Sequence, residues 1–141
     1  MPYRFIEGLT TADIAFEAKG KTLKELFESA ALAMFDVMAD PNKVDKKIIK
    51  KFKLEEDKLE DLMFKFLEEI IFFKDSDALV FNSSKVYINE TNKLKLTATL
   101  YGDKIDYKKQ ELKVDPKAVT MHKFKVKKAK DGYTAMVVVD V

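Results

Sequence analysis

The chain switches repeatedly between two hydrophobic periods. Residues 3–9 open with the apolar run Tyr3, Phe5 and Ile6 and read as a short strand. In residues 14–18, Ile14, Phe16 and Ala18 alternate with Ala15 and Glu17, the period of two that marks a half-buried strand. After a turn at Lys19-Gly20-Lys21 the period lengthens. Leu23, Leu26, Phe27, Ala30, Ala31, Met34, Phe35 and Met38 recur at helical spacing. Thr22 and Glu25 stand three apart in a capping box, and Asp40-Pro41 is the expected stop. Residues 46–54 mix Ile48, Ile49, Phe52 and Leu54 with five lysines. Their short length and β-branched content predict a strand, its lysines forming either a solvated face or a basic partner patch. Asp57 and Glu60 repeat the capping pattern ahead of a second helical stripe, from Leu59 and Leu62 to Ile70, Ile71 and Phe73.

From Ala78 onward the pattern is β. Leu79-Val80-Phe81 predicts a strand, Asn82-Ser83-Ser84 a turn, Val86-Tyr87-Ile88 a further strand and Thr91-Asn92-Lys93 another turn. Residues 94–101 alternate strictly, with Leu94, Leu96, Ala98 and Leu100 inward. Residues 102–116 are polar and loop-like, longer than a hairpin needs. Residues 118–127 and 133–139 close the chain as two strands around Asp131-Gly132, a hairpin signal. The order predicts a single α+β domain over residues 1–141, with a largely antiparallel sheet layered with two amphipathic helices. There is no internal repeat.

Composition then narrows the function. The chain of 141 residues is 47% hydrophobic and 35% charged, with a net charge of +2, which gives no strong global field toward nucleic acid or membrane. Arg4 is the sole arginine, so the planar fork suited to bidentate phosphate and guanine recognition is nearly absent. Direct nucleic-acid binding is expected to be weak or absent. With no cysteine, disulfides, thiolate metal sites and a Cys nucleophile are excluded. No apolar run nears the roughly 18 residues of a membrane span, and the N-terminus lacks signal-peptide character, so a cytoplasmic protein is expected.

Familiar catalytic sets are missing. The glycines are scattered, His122 is the single histidine, and the four serines sit at helix or turn positions. Oxygen-ligand chemistry remains. Asp13 follows the turn-like Thr10-Thr11-Ala12, Asp140 ends a Val-rich strand, and Val141 carries the α-carboxylate. One reading makes Asp13 a turn cap and Asp140 a solvated terminal residue. The other makes the three carboxylates a hard anionic cluster for a divalent cation such as Ca²⁺ or Mg²⁺.

These residues also carry a resemblance. Thr11-Ala12-Asp13-Ile14, Leu23-x-x-Leu26-Phe27, Ala33-Met34-Phe35-x-x-Met38, Leu67-Glu68-Glu69-Ile70, Lys117-Ala118-Val119-Thr120-Met121-His122 and the closing Val139-Asp140-Val141 together resemble the archease family, in order and through nearly the whole chain. The resemblance implies a non-enzymatic protein cofactor of the RtcB-type tRNA-splicing ligase. Such a protein promotes ligase guanylylation and multiple turnover, meets tRNA only indirectly through the ligase, and binds a metal, typically calcium. It implies metal ligation by Asp13, Asp140 and Val141 and an activation role for Lys117 and for His122 just beyond it. His122, on an apolar strand, is otherwise read as packed or hydrogen-bonded. The chain departs from the family pattern at Thr10 and Gln110, where histidines are common. Two alternatives stand beside this reading: a free-standing metal-dependent phosphoesterase, and a lysine-mediated RNA-binding or chaperone module.

Overall fold

A computed structural model describes residues 2–7 and 13–141. The expected extension of the first strand to residue 9, and the turn residues Thr10, Thr11 and Ala12, lie outside the described residues. The elements in order are β1 (Tyr3–Ile6), β2 (Ile14–Gly20), α1 (Leu23–Met38), a 3₁₀ turn (Pro41–Lys43), β3 (Ile48–Glu56), α2 (Leu59–Asp77), β4 (Leu79–Glu90), β5 (Leu94–Lys104), β6 (Ala118–Ala129) and β7 (Gly132–Asp140). The strands form two antiparallel sheets, a four-stranded one in the order β1-β2-β7-β6 and a three-stranded one in the order β3-β5-β4.

Both helices lie between the sheets. α1 packs on β1, β2 and β7 on one side and on β4 on the other, and α2 packs on β6 and on β3, β4 and β5. Among the described residues no strand of one sheet pairs with a strand of the other. This explains why α1 is apolar almost all round. Leu26, Phe27, Met34 and Phe35 alternate around its circumference with the small Ala30, Ala31 and Ala33, and all are buried. Phe27 and Phe66 meet edge to face between the helices, their centroids 5.3 Å apart. The antiparallel α+β expectation therefore holds, with the sheet divided in two.

The caps differ between the helices. Thr22 accepts a bond from the Glu25 amide at 3.1 Å, and Glu25 reaches back to accept from the Lys21 amide at 2.8 Å, so the capping box forms one residue wider than its usual closure. The second expected box does not form. Lys58 is the N-cap of α2 and makes no side-chain cap bond; Glu60 and Asp61 in the first turn offset the exposed amide dipoles instead. α1 ends at Met38, and Asp40 caps the following 3₁₀ turn by accepting from the Asn42 amide at 3.0 Å.

The turn expected at Asn82-Ser83-Ser84 is absent, because β4 runs unbroken through it. A bulge between Phe81 and Ser83 absorbs one extra residue, and the Asn82 side chain turns away to donate to the Val44 carbonyl at 2.7 Å. Gly102 faces this bulge on β5, and a Cβ there would stand 2.0 Å from the Val80 carbonyl oxygen. The three-stranded sheet closes over the bulge only because that position has no side chain. Gly102→Ala is expected to destabilise the protein by roughly 2–3 kcal/mol, lowering Tm by about 5–10 °C in calorimetry.

Candidate functional site

The four-stranded sheet brings the start of β2 and the end of β7 together. β2 and β7 run antiparallel with Ile14 opposite Val139, Ala15 opposite Val138 and Phe16 opposite Val137. Continuing this register by one pair sets Asp13 across from Asp140. On the other side of β7, Ala118 of β6 pairs with Asp140, and the Lys117 amide donates to the Asp140 carbonyl at 2.7 Å. Asp13, Asp140, Val141 and Lys117 thus gather at the same end of three neighbouring strands. Directly opposed residues in such a ladder lie about 5 Å apart at Cα. Asp13 and Asp140 are half-buried, Lys117 is exposed, and the Val141 side chain packs against the core. The buried strand ends Val137, Val138 and Val139 make this end of the sheet rigid.

His122 does not join the group. Between Thr120 and Lys125 the β6 register slips by three residues, so that residues 121–124 bulge out opposite Val137. Lys123 turns through a left-handed backbone conformation at φ 54°, Phe124 is driven inward onto Phe64, and Met121 and His122 point to solvent. The expectation of a packed His122 is therefore corrected: the bulge lifts it off the apolar face. Val137 is three residues along β7 from Asp140, about 10 Å at strand rise.

Gln110 holds the loop of residues 105–117. It is buried, accepts from the Asp106 amide at 2.9 Å and donates to the Lys104 carbonyl at 2.9 Å. The loop is then laid along the end of α1. The Lys113 and Val114 amides donate to the Met38 and Val37 carbonyls at 2.8 and 3.1 Å, and the Asp40 amide donates to Glu111 at 3.1 Å. Its far end is gripped by Lys74, a buried lysine on α2 bonded to the Asp115 carboxylate and, at 2.7 Å, to the Pro116 carbonyl. Burial pushes the Lys74 ammonium down, but its bonds to Asp115 and Asp75 outweigh this and hold it above its ordinary value. Lys74 therefore stays charged and fixes the segment that leads into Lys117. The spacing of Leu67, Ile70 and Lys74 carried the signal, since it sets this lysine on the apolar stripe of α2.

A cavity of about 430 Å³ opens beside Asp13, lined also by Phe5, Ile6, Asp36, Lys113 and Val114. Asp36 accepts from Lys113 Nζ at 2.5 Å and from the Tyr3 hydroxyl at 2.9 Å. This trio ties β1, α1 and the loop together. Sequence reasoning missed it, because nothing in the spacing of Asp36 distinguishes it from a solvated helix residue. Among the described residues, no three His, Cys, Asp or Glu side chains converge as a metal-binding group. Among the described residues, the side-chain carboxylates at this end of β2 and β7 are those of Asp13 and Asp140.

The Archease protein family (MTH1598/TM1083) matches residues 3–141. The chain belongs to the archease family. It is 42% identical over 133 residues to the protein archease of Pyrococcus abyssi, covering 93% of this chain and 94% of that one. It is 37% identical over 141 residues to that of Archaeoglobus fulgidus, covering all of both. The fold is shared with the solution structure of Methanobacterium thermoautotrophicum protein 1598, at a TM-score of 0.82 and 30% identity over 99% of each chain. A crystal structure from Thermotoga maritima, described as an archease and possible chaperone, matches at a TM-score of 0.65 and 25% identity, covering 94% of this chain and 93% of that one. The archease fold thus accounts for the whole described chain, loop and sheet edge included.

The Tyr3–Asp36 bond has a pH signature. Burial, then the bond to Asp36 and the charges of Asp36 and Asp40, push the Tyr3 hydroxyl up from 10 to about 12. A group raised in the folded state stabilises it fully below its unfolded value and loses that contribution as pH rises from about 10 through about 12. The stability advantage of the wild type over Tyr3→Phe is expected to shrink by on the order of 2 kcal/mol across that window in urea unfolding.

Proposed function

We propose that this chain assists an RtcB-type tRNA-splicing ligase as a non-enzymatic cofactor in the cytoplasm, promoting ligase guanylylation and multiple turnover through an acidic, metal-bound tip. Membership of the archease family supports the class of activity. The observation that carries the site is the register of β2, β7 and β6, which gathers Asp13, Asp140, Val141 and Lys117 at one sheet edge.

The proposed donors are oxygens, which suits a hard divalent cation, calcium above all. Asp13, Asp140 and the carboxylate of Val141 would hold it. A bound cation would offset the mutual repulsion of these carboxylates and fix their directions. Lys117 is held beside them through its backbone bond to Asp140 while its side chain stays exposed. It is free to meet a nucleotide phosphate or an acidic group of the ligase as a point charge. Rigid hydrophobic strand ends behind these residues keep the tip pre-organised for docking. The phosphoesterase alternative has less support, since His122 stands on the bulge and not among the carboxylates.

The decisive measurement is ligase guanylylation with and without this protein. The rate is expected to rise when it is added, and no acceleration of the cognate ligase would sink the reading. Asp13→Asn and Asp140→Asn are each expected to lower calcium affinity at least about tenfold by calorimetry, with activation falling in parallel and the circular dichroism spectrum unchanged. Adding residues after Val141 is expected to weaken calcium binding as well. Unchanged affinity in that variant removes Val141 from the set.

A further inference from the structure

The three-stranded sheet turns its outer face to solvent, and that face is built unlike an ordinary charged surface. The register stacks its residues in rows across β3, β5 and β4: Ile49–Tyr101–Ser83, Lys51–Thr99–Lys85, Lys53–Thr97–Tyr87 and Glu55–Lys95–Asn89. Tyr87 is 62% exposed and Ile49 53% exposed, both large for apolar surface on a sheet. Lys46 Nζ lies 5.5 Å from the centre of the Tyr101 ring, and Lys24 Nζ lies 4.6 Å from that of Tyr87, so each ring has an ammonium beside it. Lys51, Lys53 and Lys85 form no ion pair among the described residues, while Lys95 meets Glu55, the single acid in these four rows, at 3.7 Å. Between the rows lies a depression of about 540 Å³ whose lining includes Lys53, Glu55, Tyr87, Asn89, Lys95 and Thr97. Ring, amide, hydroxyl and ammonium groups line a space large enough for a nucleoside, with the Glu55 carboxylate beside Lys95 in the same lining.

We infer that this face is a platform for single-stranded RNA, with Tyr87 and Tyr101 stacking bases and Lys51, Lys53, Lys85 and Lys95 meeting the backbone phosphates. A flat sheet carrying spaced aromatics among cations is the arrangement that binds unpaired strands, because every base has a face to stack and every linkage a charge. Lysine in place of arginine makes the contact tolerant of sequence. The net charge of +2 is small, so attraction to a strand would come from the local excess of lysine in these rows and not from the charge of the whole chain. The choice of RNA over DNA rests on the ligase reading; the face itself calls for a single strand.

The test is fluorescence anisotropy of a labelled oligouridylate of about a dozen nucleotides, with the tyrosine emission of this tryptophan-free protein followed in parallel. Saturable binding with tyrosine quenching is expected, weakening roughly twentyfold or more between about 50 and 200 mM salt. Tyr87→Ala is expected to lose at least about fivefold in affinity and Tyr87→Phe to retain it. The pair Lys51→Glu and Lys53→Glu is expected to lose at least about tenfold, and the equally charged pair Lys127→Glu and Lys128→Glu on β6 less than about twofold. Affinity weaker than about 100 μM at low salt overturns the proposal, as does an equal loss in the β6 pair. Equal or tighter binding of the deoxy strand overturns the assignment to RNA. Guanylylation of the ligase without RNA separates the two readings. Tyr87→Ala is expected to activate it fully, and a protein that binds RNA through this face yet never activates the ligase sinks the ligase reading alone.

Discussion

The strand register at β2–β7–β6 is the constraint on which the site depends. Two pairs, Ile14 with Val139 and Ala118 with Asp140, decide which residues meet at the sheet edge. A slip of one residue would exchange the faces of every side chain on β7. Val137 and Val139, which are fully buried on the helix side, would turn outward, and Asp140 would turn toward the core. That is a loss of several buried side chains against the gain of a buried charge, so no neighbouring register competes. The acidic tip therefore inherits its geometry from hydrophobic burial behind it. A carboxylate cluster could not organise itself this way, because its members repel one another.

The helix layer and the loop transmit the same rigidity to the rest of the tip. α1 is pinned on two sides by sheets, and its last turn offers the Val37 and Met38 carbonyls to the loop backbone. Lys74, charged and buried, then locks the loop just before Lys117. Breaking a buried charged contact of this kind costs more than the contact itself is worth, because the remaining charge is left without compensation. The loop is long and polar, yet it is held along its length by bonds to α1, to Gln110 and to Lys74.

The elements that were legible in the sequence are those with strong local signals. The Thr22 cap, the alternation along residues 94–101 and the Asp131-Gly132 turn each state their structure within a few residues. What the sequence hid depends on distant partners. Asn82-Ser83-Ser84 has turn composition, but a glycine on the facing strand and a carbonyl on the 3₁₀ segment's far side turn it into a bulge. The division of the sheet was hidden too, since no local pattern says which strands pair. Of the site, Asp13 and Asp140 were legible as carboxylates at strand ends, and their adjacency follows only from the β2–β7 register. The Tyr3–Asp36–Lys113 contact joins residues 33 and 77 positions apart, beyond any local signal.

Dividing one sheet into two doubles the number of open strand edges, and each is a place where another chain could add on. β6 lies at such an edge. Its bulge leaves only two short ladder runs, residues 118–120 and 125–129, out of step with each other. An incoming strand that matched one run would miss the other, and the exposed Lys125, Lys127 and Lys128 would stud the second. The irregularity that displaces His122 therefore also makes this edge a poor template for an added strand.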